Sequence, residues 1–172
     1  MVSKDQPPTP NPLSVAAIWQ ALEEVKDPEI PVISVVEMGI VRDVTLQEGR
    51  AVVTMTPTFS GCPALDVMRR DIAQRLRELG FAAEEIEVRT VLAPPWSSDW
   101  ISDAGRARLK EFGLAPPPKH GGSVNVMFYD PVACPYCDGN NTAVRNTFGP
   151  TLCRAIYYCR DCQEPFEQFK PI

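Results

Sequence analysis

The chain has 172 residues, a formal charge of −5, 6 Cys, 18 Pro and 1 His. That length holds one ordinary domain or two small ones, and a 44% hydrophobic content supplies a real core, which excludes wholesale disorder. One His excludes HExxH zinc sites and di-iron centres that draw a His from each half, so metal bound by this chain alone must rest mainly on Cys and carboxylates.

No apolar run reaches the length of about 18 residues that a membrane span needs. The N-terminal MVSKDQPPTPNPLS has no apolar core of a secretory signal. The expectation is a cytoplasmic chain with no membrane partner, whose Cys stay reduced. Paired Cys then read as metal ligands or redox groups rather than disulfides.

Residues 1–13 carry Pro7, Pro8, Pro10 and Pro12 and read as a disordered Pro-rich arm. Ser14 caps a predicted helix whose face is Val15, Ile18, Trp19, Leu22 and Val25, ended by Asp27-Pro28. Residues 39–46 and 50–56 read as two strands turning at Gly49, a hairpin. A second helix spans 63–79 on Leu65, Met68, Ile72, Leu76 and Leu79, with Pro63 at its first position and Gly80 at its end. Residues 85–91 alternate as a third strand. The order αββαβ over 14–93 makes a small two-layer α+β domain. A helical connector and Pro-rich linker follow over 94–118, with Ser102 or Asp103 as helix cap. Trp96 and Trp100 in it either pack back on the first domain or form a partner surface. Residues 119–172 form a β-rich tail, with strands at 142–148 and 151–158 around a Gly149-Pro150 turn. The fold class is therefore α+β, with a C-terminal four-cysteine ribbon.

Residues 14–93 hold 8 basic and 13 acidic side chains, the whole of the net charge, and every other segment is balanced. Neither part has a basic face for phosphates, which excludes nucleic acid as a partner.

Cys134-Pro-Tyr-Cys137 and Cys159-Arg-Asp-Cys162 have the spacing of two metal knuckles. In each, a two-residue gap turns both sulfurs toward one ion, and the two pairs supply a tetrahedron of thiolates. Gly139 permits the tight turn after the first knuckle. The pattern predicts a zinc ribbon. Mononuclear iron uses the same ligands, and spacing does not separate the two. A closed site of this kind folds the tail rather than catalyses, so chelation is expected to melt 119–172 and leave 14–93 folded. Cys153, ahead of the second knuckle, reads as a buried small hydrophobe, with a replacement ligand or a transient metal contact as the alternatives, and His120 reads as a solvated linker residue.

Cys62 stands apart. It precedes Pro63 and so lies at the predicted start of the second helix, where free N–H groups and the positive dipole end lower a thiol pKa. Thr58 and Ser60 offer hydroxyls beside it, and Gly61 allows close approach. Asp27, Glu29 and Glu37 lie in a Pro-restrained loop that can fold over Cys62. A mixed thiolate–carboxylate set suits iron better than magnesium. An inert capping Cys and a solvated acidic loop are the plain alternatives.

The stretches DPEIPVISVVEMGIV (27–41) and TPTFSGCPA (56–64) resemble the small α+β domain of iron–sulfur assembly and targeting proteins. Residues 93–117 and the CPYC…CRDC ribbon ending in EPFEQFK (164–170) narrow the resemblance to the PaaD family, an accessory component of the bacterial phenylacetyl-CoA epoxidase. It covers about 14–172, with Glu37 and Met38 where relatives often carry Asp and Leu. The resemblance implies a maturation or accessory subunit beside an oxygenase with a di-iron subunit and a flavin/iron–sulfur reductase, in aerobic phenylacetate degradation. On this reading the chain is assigned no catalytic residue: GxGxxG and the plant-type ferredoxin spacing are both absent, and a thiol enzyme on Cys62 would find no His near it in sequence, His120 lying in a linker. On the leading reading, Cys62 is a transient ligand for iron or an Fe–S cluster, with Asp27, Glu29 and Glu37 near it, and a second copy or a client subunit completes the site. The alternative is a structural adaptor that bridges epoxidase subunits through Trp96, Trp100 and the ribbon without metal transfer.

Overall fold

Ser14 starts the first helix as its composition predicts. In the computed structural model, which describes residues 13–59, 61–121 and 132–171, α1 runs Val15–Leu22. The Ser14 hydroxyl accepts the Ala17 N–H (3.1 Å), and Ile18 and Leu22 are fully buried. The Pro-rich arm up to residue 12 and Ser60 lie outside the described residues, as do 122–131 of the tail. The helix stops at Leu22, earlier than Asp27-Pro28 requires. Val25 instead offers its carbonyl to the Val35 N–H (2.9 Å), and Lys26 bridges to Ser34. Long-range pairing takes residues that local propensity would leave helical.

The acidic loop 27–39 lies within the core rather than over it. Ile30, Ile33, Val35 and Met38 are buried, and the backbone satisfies itself through short-range bonds such as Ile33 N–H to Ile30 and Met38 N–H to Ser34. Strands β1 (Val41–Gln47) and β2 (Arg50–Met55) form the predicted hairpin. Its two turn residues, Glu48 and Gly49, both have positive φ (51° and 83°), the conformation a two-residue hairpin needs. Helix α2 (Leu65–Leu79) buries Met68, Ile72 and Leu76 and closes at Gly80, with the Phe81 and Gly80 N–H groups on the Leu76 and Arg77 carbonyls. It carries the chain to β3 (Ile86–Thr90), which pairs parallel with β2.

The connector wraps the acidic loop. A 3-10 turn over Ser98–Trp100 precedes α3 (Asp103–Glu111), whose cap is Ser102, its hydroxyl accepting the Gly105 N–H (3.0 Å). Trp96 donates its indole N–H to the Met38 carbonyl (3.1 Å), and the Trp100 ring lies under the Arg42 guanidinium (3.5 Å to the ring centre).

The tail forms a four-stranded sheet in the order β4-β7-β6-β5: β4 (Leu114–Ala115), β5 (Thr142–Asn146), β6 (Arg154–Cys159) and β7 (Pro165–Phe169). The connector supplies β4, parallel to β7, so the linker is part of this sheet. The core is shared. Leu114, Cys153 and Phe169 belong to the same buried cluster as Ile18, Met38 and Ile72, while a smaller cluster of Ala115, Cys134, Ala155, Tyr157, Cys159 and Phe166 sits inside the tail. Among the described residues, no helix is long and apolar enough to cross a membrane.

Candidate functional site

The two Cys knuckles repeat each other's backbone. In the first, Cys134 N–H donates to the Gly139 carbonyl (3.0 Å); in the second, Cys159 N–H donates to Glu164 (3.0 Å), the same five-residue step. The residue after each closing Cys, Asp138 and Gln163, has positive φ (59° and 63°). The left-handed position is therefore Asp138, and Gly139 answers to space: a Cβ there would collide with the Asp161 carboxylate and lie 3.2 Å from the Cys137 sulfur.

All four sulfurs lie within 4.8 Å of one another, with Cys134–Cys162 at 3.7 Å and Cys137–Cys159 at 3.6 Å. Thiolates about 2.3 Å from a tetrahedral zinc ion stand about 3.8 Å apart, so the donor set fits zinc. A cation would let all four thiols ionise together. The Cys162 N–H favours the Cys159 thiolate and holds its pKa at about 7. The Glu164 N–H favours the Cys162 thiolate too, but burial and the three neighbouring sulfurs outweigh it and push that pKa up to about 12. A dication removes this mutual repulsion. Zinc held by these four residues would have no open position, and would supply fold stability rather than a reaction.

Cys62 lies three residues ahead of α2, in a turn where its carbonyl accepts the Leu65 N–H (3.2 Å). The expected lowering of its thiol pKa is not found. The Ala64 and Leu65 N–H groups do favour the thiolate, but burial, followed by the carboxylates of Glu29 and Asp27, pushes the thiol up. Cys62 opens on a cavity of about 280 Å³ with Glu29, Thr58 and Phe59 on the first-sheet side and Phe148, Thr151, Leu152 and Cys153 from the tail. Glu29 is half-buried, and its carboxylate accepts no hydrogen bond from the described residues. Gly61 is exposed, with open space where a Cβ would stand.

The other two carboxylates are committed to structure in different degrees. Asp27 is buried, and its Oδ1 accepts the N–H groups of Glu29 (2.7 Å) and Ile30 (3.0 Å), which shapes the loop. Glu37 is further engaged. Its Oε2 accepts the Ser34 N–H (3.0 Å), its own N–H donates to the Ser34 hydroxyl (3.0 Å), and its Oε1 pairs with Arg108 Nε (2.8 Å). This reciprocal Ser–Glu cap and the ion pair occupy both oxygens, and Glu37 does not line the Cys62 cavity. Trp96 is only 3% exposed and packs on Phe169 (ring centres 5.8 Å apart), which removes it from any partner surface; Trp100 is half-buried. His120 is no solvated linker residue either: its ring stands 3.5 Å from Asp99 and 3.4 Å from the Ser97 hydroxyl.

Two family models match. One described as "Iron-sulfur cluster assembly protein" covers residues 15–88, and one described as "PaaD zinc beta ribbon domain" covers 124–170. The D component of the "Putative 1,2-phenylacetyl-CoA epoxidase" of Escherichia coli (strain K12) is 38% identical over 94% of this chain and 95% of its own length. The chain belongs to the PaaD family. Its first part is also 38% identical to the "Fe-S protein maturation auxiliary factor YitW" of Bacillus subtilis (strain 168), over 54% of this chain and 89% of that protein. A crystal structure of a domain of unknown function, DUF59, from Bacillus anthracis superposes with a TM-score of 0.50 at 35% identity, covering 55% of this chain and 90% of that one.

In this PaaD-family chain, sequence reasoning did not connect Cys153 with Cys62, nor Arg154 with the acidic loop. Cys153 has its sulfur 3.1 Å from the Thr151 hydroxyl and faces the same space as Cys62. Arg154, next to it, donates to the Glu29 carbonyl (2.6 Å) and to Glu167 (2.9 Å) and so fastens the tail to the acidic loop. An odd Cys and an Arg beside the ribbon were the available signals, but no local spacing connects them to residue 29 or 62.

Proposed function

We propose that this chain is a non-catalytic accessory subunit of a phenylacetyl-CoA epoxidase system that carries iron, as an ion or an Fe–S cluster, to the oxygenase or reductase subunit. Iron is the cargo here. Cys62 is its thiolate ligand, Glu29 is the adjacent carboxylate, and Asp27 shapes the loop that presents Glu29. The reading is carried by one arrangement: a thiol and an uncommitted carboxylate facing one open cavity. Membership of the PaaD family and the iron–sulfur-assembly match over residues 15–88 support it. Loading breaks the Cys62 S–H bond, forms an Fe–S bond and releases the proton to solvent, with no change in oxidation state. An incomplete ligand set then leaves positions for a client's ligands. The four-cysteine ribbon remains structural, with zinc as its ion.

The test is anaerobic co-expression with the epoxidase subunits, comparing wild type with Cys62→Ser. The expected result is a folded variant whose partner subunits are iron-poor and inactive. Full iron loading beside the variant would refute the transfer role. The adaptor reading has its own support, because Phe148 (73% exposed) and Leu152 (58% exposed) form an apolar rim at the cavity. On that reading Cys62→Ser is silent, and Phe148→Ser with Leu152→Ser abolishes co-purification.

A further inference from the structure

Cys62 and Cys153 are distant in sequence and come from the turn before α2 and the loop before β6, yet they line one cavity. The tail segment is held there firmly. The Cys153 carbonyl accepts the Lys170 N–H (2.8 Å), and the neighbouring Leu152 carbonyl accepts Lys170 Nζ (2.9 Å). Arg154 binds the Glu29 carbonyl rather than its carboxylate, which leaves the acid beside the two thiols. Burial is the first cause that raises both thiols, and Glu29 and Asp27 add to it, while the Arg154 guanidinium opposes the rise at Cys153. Among the described residues, Glu29 is the one charged side chain in the cavity lining, and its carboxylate favours a cation over an anion there.

We propose that Cys62 and Cys153 form a two-thiolate site, with the Glu29 carboxylate as third donor, for a soft or borderline divalent cation such as Fe²⁺. This rests on the reading of Cys62 as a cargo ligand and adds the ribbon's contribution to it. On binding, two S–H bonds break, two metal–sulfur bonds form and two protons leave to solvent, and the metal keeps its oxidation state. Three protein donors leave a fourth position for a client's ligand, and a cavity of about 280 Å³ has room for it. Among the described residues, the ribbon cysteines are the one set of three or more such donors gathered within 4.8 Å. Binding at Cys62, Cys153 and Glu29 must therefore draw donors together. The cost of that ordering lowers affinity, which suits a site that gives its metal up.

The test uses the full chain with zinc in the ribbon, its zinc content measured before and after, titrated anaerobically with Co²⁺ as the probe. Thiolate-to-cobalt absorption and released protons are read together. Wild type is expected to bind one Co²⁺ and release two protons. Cys153→Ala and Cys62→Ala are each expected to release one proton and to bind more weakly by on the order of tenfold or more, since even outer ligand contacts are worth that much. Glu29→Gln is expected to weaken binding and keep both protons. A second measurement needs no variant: Co²⁺ should protect both Cys62 and Cys153 of the wild-type protein from maleimide, read by mass spectrometry. Protection of Cys62 alone, with Cys153→Ala binding as wild type, overturns the two-thiolate site and leaves Cys62 as a cargo ligand. No cobalt beyond the ribbon and no protection of either thiol overturns both.

Discussion

Asp27 is a buried acid in a loop. Burial holds its carboxyl above the ordinary value of 3.8, against the pull of the Glu29 and Ile30 N–H groups and of Arg154. The folded chain thus binds this proton more tightly than the unfolded one. The associated stability is present below pH 3.8 and is lost as pH rises through the raised folded value. Asp27→Asn keeps an Oδ1 acceptor for both N–H groups and removes the buried charge. It is expected to flatten this part of the pH dependence and to keep or raise the melting temperature at pH 7; a lower melting temperature at pH 7 would contradict the argument. Cys62 shows how far local reasoning reaches. The N–H groups of the coming helix do find its sulfur, as its place before Pro63 predicts, but burial and two carboxylates from another segment decide the sign. At pH 8, maleimide should therefore modify Cys62 more slowly than a Cys of the denatured chain; an equal or faster rate would refute the raised pKa. Gly39 has φ +69°, and a Cβ there would stand 2.7 Å from the Trp100 Cβ. Gly39→Ala is expected to cost about 2 kcal/mol or more, read from denaturation midpoints.

At the scale of elements, the helices and the first hairpin are legible because their signals are local: a Ser cap, an apolar face at helical spacing, a two-residue turn with Gly. Strands β4 and β7 are not legible. The first is two residues next to a Pro run, and the second begins with Pro165 and carries Glu167 and Gln168; each exists through its partner strand. Strand β6 links the two metal questions, since it starts directly after Cys153 at the cavity and arrives at Cys159 in the ribbon site. Phe169, at the end of its neighbour β7, packs on Trp96 in the shared core. Phe169→Ala is expected to cost about 3–5 kcal/mol. Protection of first-sheet amides against hydrogen exchange should fall with it; unchanged protection would mean that the ring stabilises the tail alone.

At the scale of the whole molecule, the shared core changes the consequence of metal removal. A tail that melts by itself would leave Trp96, Met38 and their neighbours without Phe169 and Cys153, and β4 with Leu114 without its partner strand. Chelation is therefore expected to lower the stability of the entire chain in one calorimetric transition. Two separate transitions, with the first sheet unaffected, would restore the picture of an independent tail. Net charge acts at this scale too. The acidic excess within 14–93 includes Asp27 and Glu29 and adds to a cation-attracting field around the cavity.

The sequence by itself determined the four-cysteine site, because a two-residue gap places both sulfurs of a knuckle within one turn of backbone, whatever surrounds it. It also determined the order of the first five elements, and it offered Cys62 with Asp27, Glu29 and Glu37 as candidates without ranking the three acids. Only the tertiary structure decided what each long-range candidate does. It closed Glu37 into a Ser34 cap and an Arg108 pair, took Trp96 into the core, and brought Cys153 to Cys62. These outcomes depend on how a tail and a domain share one apolar core, and that packing is set by the summed fit of many side chains rather than by any spacing along the chain.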